Sequence, residues 1–215
     1  SESWLLPAAD TTAAPRSVAG PRRGTEHTVD HAPWGGHDDL LMVTNDGAAE
    51  FRILAAGTDA LEPWREVVAH DPAVRIVAAD AFAGHVVLTV RRDGLPLLQV
   101  ARRDWSATYE IRPADEASTV SLTPVDDFDP PAVTICTESR TTPAIWWDVD
   151  LASGDRVELL RTAAPGLDAA RYTSSRVWVT ARDGAKVPVT LWRHVDVPLD
   201  GSAPCLLYGY GAYEY

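Results

Sequence analysis

Three short segments constrain this chain more than any other feature: Asn45-Asp46-Gly47, Asp93-Gly94 and Ser153-Gly154-Asp155 each separate a pair of apolar runs of strand length. The flanking runs are Leu40-Leu41-Met42-Val43-Thr44 and Phe51-Arg52-Ile53-Leu54, then His85-Val86-Val87-Leu88-Thr89-Val90 and Leu97-Leu98-Gln99-Val100, then Ala144-Ile145-Trp146-Trp147-Asp148-Val149 and Arg156-Val157-Glu158-Leu159-Leu160. Asn-Gly and Asp-Gly tolerate the positive φ of tight hairpin turns, so each pair predicts two antiparallel strands. No long stretch holds a helical repeat, and the chain therefore reads as mainly β.

The turn glycines Gly47, Gly94 and Gly154 are 47 and then 60 residues apart. Four-stranded propeller blades repeat at about 40 to 50 residues, which this spacing loosely suits. Further short strands between the hairpins, Glu26-His27-Thr28-Val29, Arg75-Ile76-Val77, Thr108-Tyr109-Glu110-Ile111 and Val133-Thr134-Ile135-Cys136, supply the remaining members of such sheets. An irregular β-sandwich is the competing architecture on spacing alone. After a linker-like stretch, Ala163-Ala164-Pro165-Gly166-Leu167-Asp168, a different unit begins: a hairpin around Asp183-Gly184, then Cys205-Leu206-Leu207-Tyr208, which reads as a buried strand whose sheet partners would have to come from elsewhere.

Composition narrows the partners. Among 215 residues, 19 Lys plus Arg against 31 Asp plus Glu leave a net charge of −12, which opposes nucleic acid or an anionic membrane as the main partner. A cationic partner fits that charge instead. No apolar run approaches the roughly 18 residues of a membrane helix, and Ser1-Glu2-Ser3-Trp4-Leu5-Leu6 lacks the basic and apolar regions of a secretory signal. Cys136 and Cys205 stand 69 residues apart without a CxxC spacing, which predicts free, buried thiols.

Candidate chemistry is sparse. His27 and His31 have a helical ligand spacing but lie in a strand pattern, where residues four apart are about 13 Å from each other, so they read as ordinary strand histidines. Asp126-Asp127-Phe128-Asp129 lacks the glycine turn and distal glutamate of a calcium loop and reads as a solvated acidic loop. Trp146 and Trp147 alternate across a strand, so one of them at most lines any given surface. GxSxG, HExxH, Walker and GxGxxG patterns are absent from the sequence. In Gly209-Tyr210-Gly211 the small neighbours let a phenol stand clear of the backbone, where it could donate to a developing oxyanion; a structural aromatic at a strand end is the plainer reading.

The segment Tyr172 to Val189, followed by Pro204-Cys205-Leu206-Leu207-Tyr208-Gly209-Tyr210-Gly211-Ala212-Tyr213-Glu214, resembles the prolyl oligopeptidase family, and in particular its oligopeptidase B (protease II) branch. Val29-Asp30-His31, Thr44-Asn45-Asp46-Gly47, Val90-Arg91-Arg92-Asp93-Gly94-Leu95 and Ser139-Arg140-Thr141-Thr142-Pro143 resemble that branch's propeller in the same order. The resemblance implies a seven-bladed β-propeller capping an α/β-hydrolase domain, with residues 1–166 as later blades and residues 167–215 as the first strands of the catalytic domain.

It further implies a serine-type endopeptidase that cleaves short peptides after Arg or Lys through an acyl-enzyme, without a cofactor and in the cytoplasm, the propeller limiting access by size. Tyr210 matches the tyrosine that supplies an oxyanion-hole donor, and Tyr213 matches an aromatic flanking the substrate cleft. The family's serine, aspartate and histidine fall beyond Tyr215, so the chain is expected to be an inactive fragment, with neither His194 nor Ser202 standing in for them. A noncatalytic propeller-like interaction module is the alternative. A carbohydrate-binding reading would require Trp34, Trp64 or Trp105 on one surface.

Overall fold

The computed structural model describes residues 1–34, 37–106, 108–114 and 117–210; for residues 37, 38 and 108 only the backbone is described. A short hairpin, β1 (Ser3–Leu5) with β2 (Arg16–Ala19), precedes three four-stranded antiparallel meanders. The first sheet is β3 (His27–Trp34), β4 (His37–Thr44), β5 (Arg52–Gly57) and β6 (Arg65–Val68). The second is β7 (Val74–Ala81), β8 (His85–Arg92), β9 (Leu95–Arg102) and β10 (Thr108–Ile111). The third is β11 (Thr119–Leu122), β12 (Val133–Glu138), β13 (Ile145–Val149) and β14 (Arg156–Arg161). A 3-10 turn, Ala169–Arg171, leads into a long hairpin of β15 (Tyr172–Thr180) and β16 (Lys186–His194). No helix among the described residues is long and apolar enough to cross a membrane.

Within each four-stranded sheet, strands adjacent in sequence pair and none crosses to the next sheet, so each sheet is a blade of a propeller rather than half of a sandwich. The period-2 pattern shows how the blades stack. Along β8, Val86, Leu88 and Val90 join Leu41, Val43 and Ile53 of the first sheet in one apolar layer. Val87, facing the other way, joins Leu98, Val100, Val120, Val133 and Ile135 in a second layer against the third sheet. The central sheet is thus apolar on both faces because it is covered on both faces. A third, smaller layer of Val18, Leu40 and Met42 seats the β1–β2 hairpin on the outside of the first sheet. Each fully buried aliphatic side chain in these layers contributes about 1.5–3 kcal/mol.

Beyond β14 the layering stops. Trp146 pairs with Leu160 and Asp148 with Val157 across β13 and β14, placing these residues on the sheet's outer face. Val157 is 66% and Leu160 60% exposed there.

Three expectations need correction. The blade repeat is regular, its first strands starting at residues 27, 74 and 119. The 60-residue step arises because Gly154 lies in the turn between the third and fourth strands of its blade, whereas Gly47 and Gly94 join the second and third. The equivalent turn of the third blade, Ser139 to Pro143, has no glycine; Ser139 Oγ accepts from the backbone N–H groups of Thr141 and Thr142 instead.

Cys205-Leu206-Leu207-Tyr208 is not a strand and is not buried: Leu206 is 91% and Leu207 85% exposed, and no strand among the described residues pairs with it. An apolar run becomes a strand only when a neighbour takes its N–H and C=O groups. Cys205 is accordingly an exposed thiol and Cys136 a half-buried one, both unbridged.

Candidate functional site

The first strands of the sheets converge on a cleft of about 230 Å³. Asp30, His31 and Pro33 of β3 form one wall, and Asp80, Ala81 and Phe82 at the end of β7 form another. The β11–β12 connection closes it with Leu122, Val125, Asp126, Asp127 and Phe128. Hydrogen bonds donated by backbone N–H groups lock these segments together. Asp30 Oδ2 accepts from the Ala81 N–H at 2.9 Å, and the Phe128 carbonyl accepts from the Ala83 N–H at 2.8 Å. The Asp127 carboxylate accepts from the Asp129 N–H at 3.0 Å, a local turn that holds the acidic loop in shape.

Four carboxylates therefore surround one concavity. Burial, and secondarily the negative charge of Asp30, pushes the Asp80 carboxyl above its ordinary value. Such a cleft suits a cation that supplies N–H donors, such as an ammonium or guanidinium group. Among the described residues no group of three or more His, Cys, Asp or Glu has a metal-binding arrangement. The acidic loop was visible in the sequence as a solvated segment. Its facing partners were not, because residues 30 and 80 lie far apart in the chain and only blade stacking brings them together.

Tyr210 lies in the exposed segment after the last hairpin and is 58% exposed. Tyr213 lies outside the described residues. His194, at the end of β16, packs edge-on against Tyr172, accepts from Arg171 Nε at 3.1 Å and has Asp196 Oδ2 3.5 Å from Nδ1. This cluster braces the end of the hairpin and includes no serine.

One serine does approach an imidazole: Ser3 Oγ lies 3.1 Å from Nε2 of the buried His27. Burial pushes the His27 pKa down. A nucleophile's base needs a carboxylate to orient it and stabilise its charged form, whereas burial here favours the neutral ring. The pair fastens β1 to β3, helped by Ser1 Oγ, which accepts from the His27 N–H at 3.4 Å.

Trp34, Trp64 and Trp105 do not gather on one surface. Trp34 is buried between the first two blades, Trp64 packs toward the β1–β2 hairpin, and Trp105 lies against the layer between the first two blades. Trp147 enters the layer between the second and third blades and donates from Nε1 to Thr137 Oγ1 at 2.9 Å, while Trp146 faces the opposite side of the strand.

Residues 1–161 match the prolyl oligopeptidase N-terminal β-propeller domain. The chain belongs to the prolyl oligopeptidase family. Its relatives in that family include dipeptidyl aminopeptidase BI of Pseudoxanthomonas mexicana, 34% identical over 99% of this chain and 29% of that protein. Protease 2 of Moraxella lacunata is 29% identical over 95% of this chain and 29% of its own length. Among solved structures, oligopeptidase B from Trypanosoma brucei with covalently bound antipain superposes with a TM-score of 0.87 at 28% identity, covering 99% of this chain and 31% of that one. Oligopeptidase B from Leishmania major gives the same TM-score at 26% identity. These likenesses place the chain in the oligopeptidase B branch of the prolyl oligopeptidase family. It spans about three tenths of the length of these relatives.

Proposed function

We propose that this chain is the substrate-gating propeller, residues 1–166, and the opening of the catalytic unit, residues 167–215, of an oligopeptidase B-like serine peptidase acting on short peptides in the cytoplasm. The observation that carries this reading is the family match over residues 1–161. In it, a peptide passes the propeller and is cleaved after Arg or Lys through an acyl-enzyme. The acidic cleft at the inner strands of three blades favours cationic peptides along that route. Tyr210 donates its phenolic O–H to the tetrahedral oxyanion, and Tyr213 flanks the bound peptide. No cofactor is required, since acyl transfer needs only a nucleophile, a base and oxyanion donors.

The likeness to a dipeptidyl aminopeptidase favours a second reading of the same chemistry. A peptide's free α-ammonium is also a cation, and an acidic concavity fits it as well as a side chain. An enzyme of the relatives' length carrying this segment separates the two. Equal hydrolysis of N-terminally blocked and free Arg-containing substrates supports endopeptidase action, and loss of activity on the blocked ones supports removal of dipeptides. No hydrolysis of either refutes both.

A further inference from the structure

The β15–β16 hairpin lies beyond the residues matched to the propeller, and the segment before it, residues 162–168, is exposed and lacks regular structure. Such a linker cannot by itself set the angle at which the hairpin stands. Yet Arg176 of β15 reaches 83 residues back along the chain, and its Nη2 donates to the main-chain carbonyl of Asp93. Asp93 and Gly94 are the central residues of the β8–β9 turn, both at positive φ (53° and 72°). A carbonyl in that position has no ladder partner and is available to an outside donor.

The surroundings are shaped for this contact. The Arg176 guanidinium lies over the Trp178 ring, 5.3 Å from its centroid. Trp178 pairs with Pro188 across the hairpin, so Arg176, Trp178 and Pro188 share one face. A Cβ added at Gly94 would sit 3.0 Å from Arg176 Nη2 and 3.2 Å from Pro188 Cγ. The turn therefore meets the hairpin so closely that any side chain at position 94 would push Arg176 and Pro188 back by a few tenths of an ångström. Gly47, in the matching turn of the first blade, also has positive φ, but a Cβ there would meet nothing within 4 Å.

We infer that Arg176, with Pro188 seated against Gly94, is a clasp that fixes the pose of the β15–β16 hairpin on the second blade. The clasp is a hydrogen bond from a charged group to a backbone acceptor. Losing it shifts the ratio of clasped to unclasped hairpin about tenfold or more.

The test uses the full 215-residue chain with Cys136→Ser and Cys205→Ser, spin labels at Arg182→Cys and Arg103→Cys, and electron–electron distance measurement. The parent gives one narrow distance population. Arg176→Ala adds a broad second population and lowers the clasped fraction while the propeller's melting temperature stays unchanged; Arg176→Lys, which keeps a donor, lies between. Gly94→Ala also releases the hairpin, whereas Gly47→Ala strains an equivalent turn and leaves the distances alone. The Gly94 and Gly47 pair carries the test if Arg176→Ala does not fold. An unchanged distribution in Gly94→Ala or in a folded Arg176→Ala, or equal broadening in the two glycine variants, overturns the clasp.

Discussion

The indole Nε1 of Trp34 donates a 2.8 Å hydrogen bond to the main-chain carbonyl of Phe82, a buried link from the end of the first blade's inner strand to the residue just beyond the second's. It lies beside the acidic cleft and holds two of its walls in register. Trp34→Phe keeps most of the apolar volume but leaves that carbonyl unpaired. The expected loss is about 1–3 kcal/mol of unfolding free energy, read by chemical denaturation. An unchanged midpoint and slope would show that the bond adds nothing to blade docking.

Asp80 gives the cleft a pH signature. Its native pKa is raised, first by burial and then by Asp30, above the ordinary 3.8. The native state therefore binds this proton more readily than the unfolded chain. The group's contribution is fully favourable below 3.8 and is lost as pH rises through the native value. Asp80→Asn is expected to melt at a higher temperature than the parent at pH 7, with the gap closing as pH falls toward 3.8. A gap that widens with acidification contradicts the assignment.

The oxyanion role proposed for Tyr210 is tested in an enzyme of the relatives' length. Tyr210→Phe removes the donor and keeps the ring. Turnover is expected to fall about 10²–10³-fold with KM little changed, and unaltered turnover refutes the role.

The outer face of the third blade carries exposed Val157 and Leu160. The 215-residue chain is expected to bind an apolar dye there, and Val157→Lys with Leu160→Lys to reduce the signal at least about twofold without lowering the melting temperature, since surface changes away from packed contacts are usually within about 0.5 kcal/mol. Unchanged dye binding in the folded double variant places the apolar surface elsewhere.

Much of the architecture was legible because it is written locally. Asp93-Gly94 between alternating apolar runs specifies β8 and β9, and β15 with β16 follows from the same grammar around Asp183-Gly184. The blade register was less legible, since Gly154 marks a different turn from Gly47 and the third blade's equivalent turn is held by Ser139. Cys205 to Tyr208 misled because apolar character signals a strand only where a neighbouring strand exists to pair with it. The cleft was hidden for a related reason: Asp30, Asp80 and Asp127 are distant in sequence, and nothing local to any of them announces the others.

The double-sided burial of the central blade also bears on how the chain reaches its fold. His85-Val86-Val87-Leu88-Thr89-Val90 has no proline and no Asp, Glu, Lys or Arg, the composition of a segment that pairs readily with copies of itself. Its protection comes from two neighbours, and during synthesis from the N-terminus the third blade emerges after it. Between those moments one face of β8 is covered and the other is bare, so the time to complete and dock the third blade sets how long each nascent chain is open to aggregation.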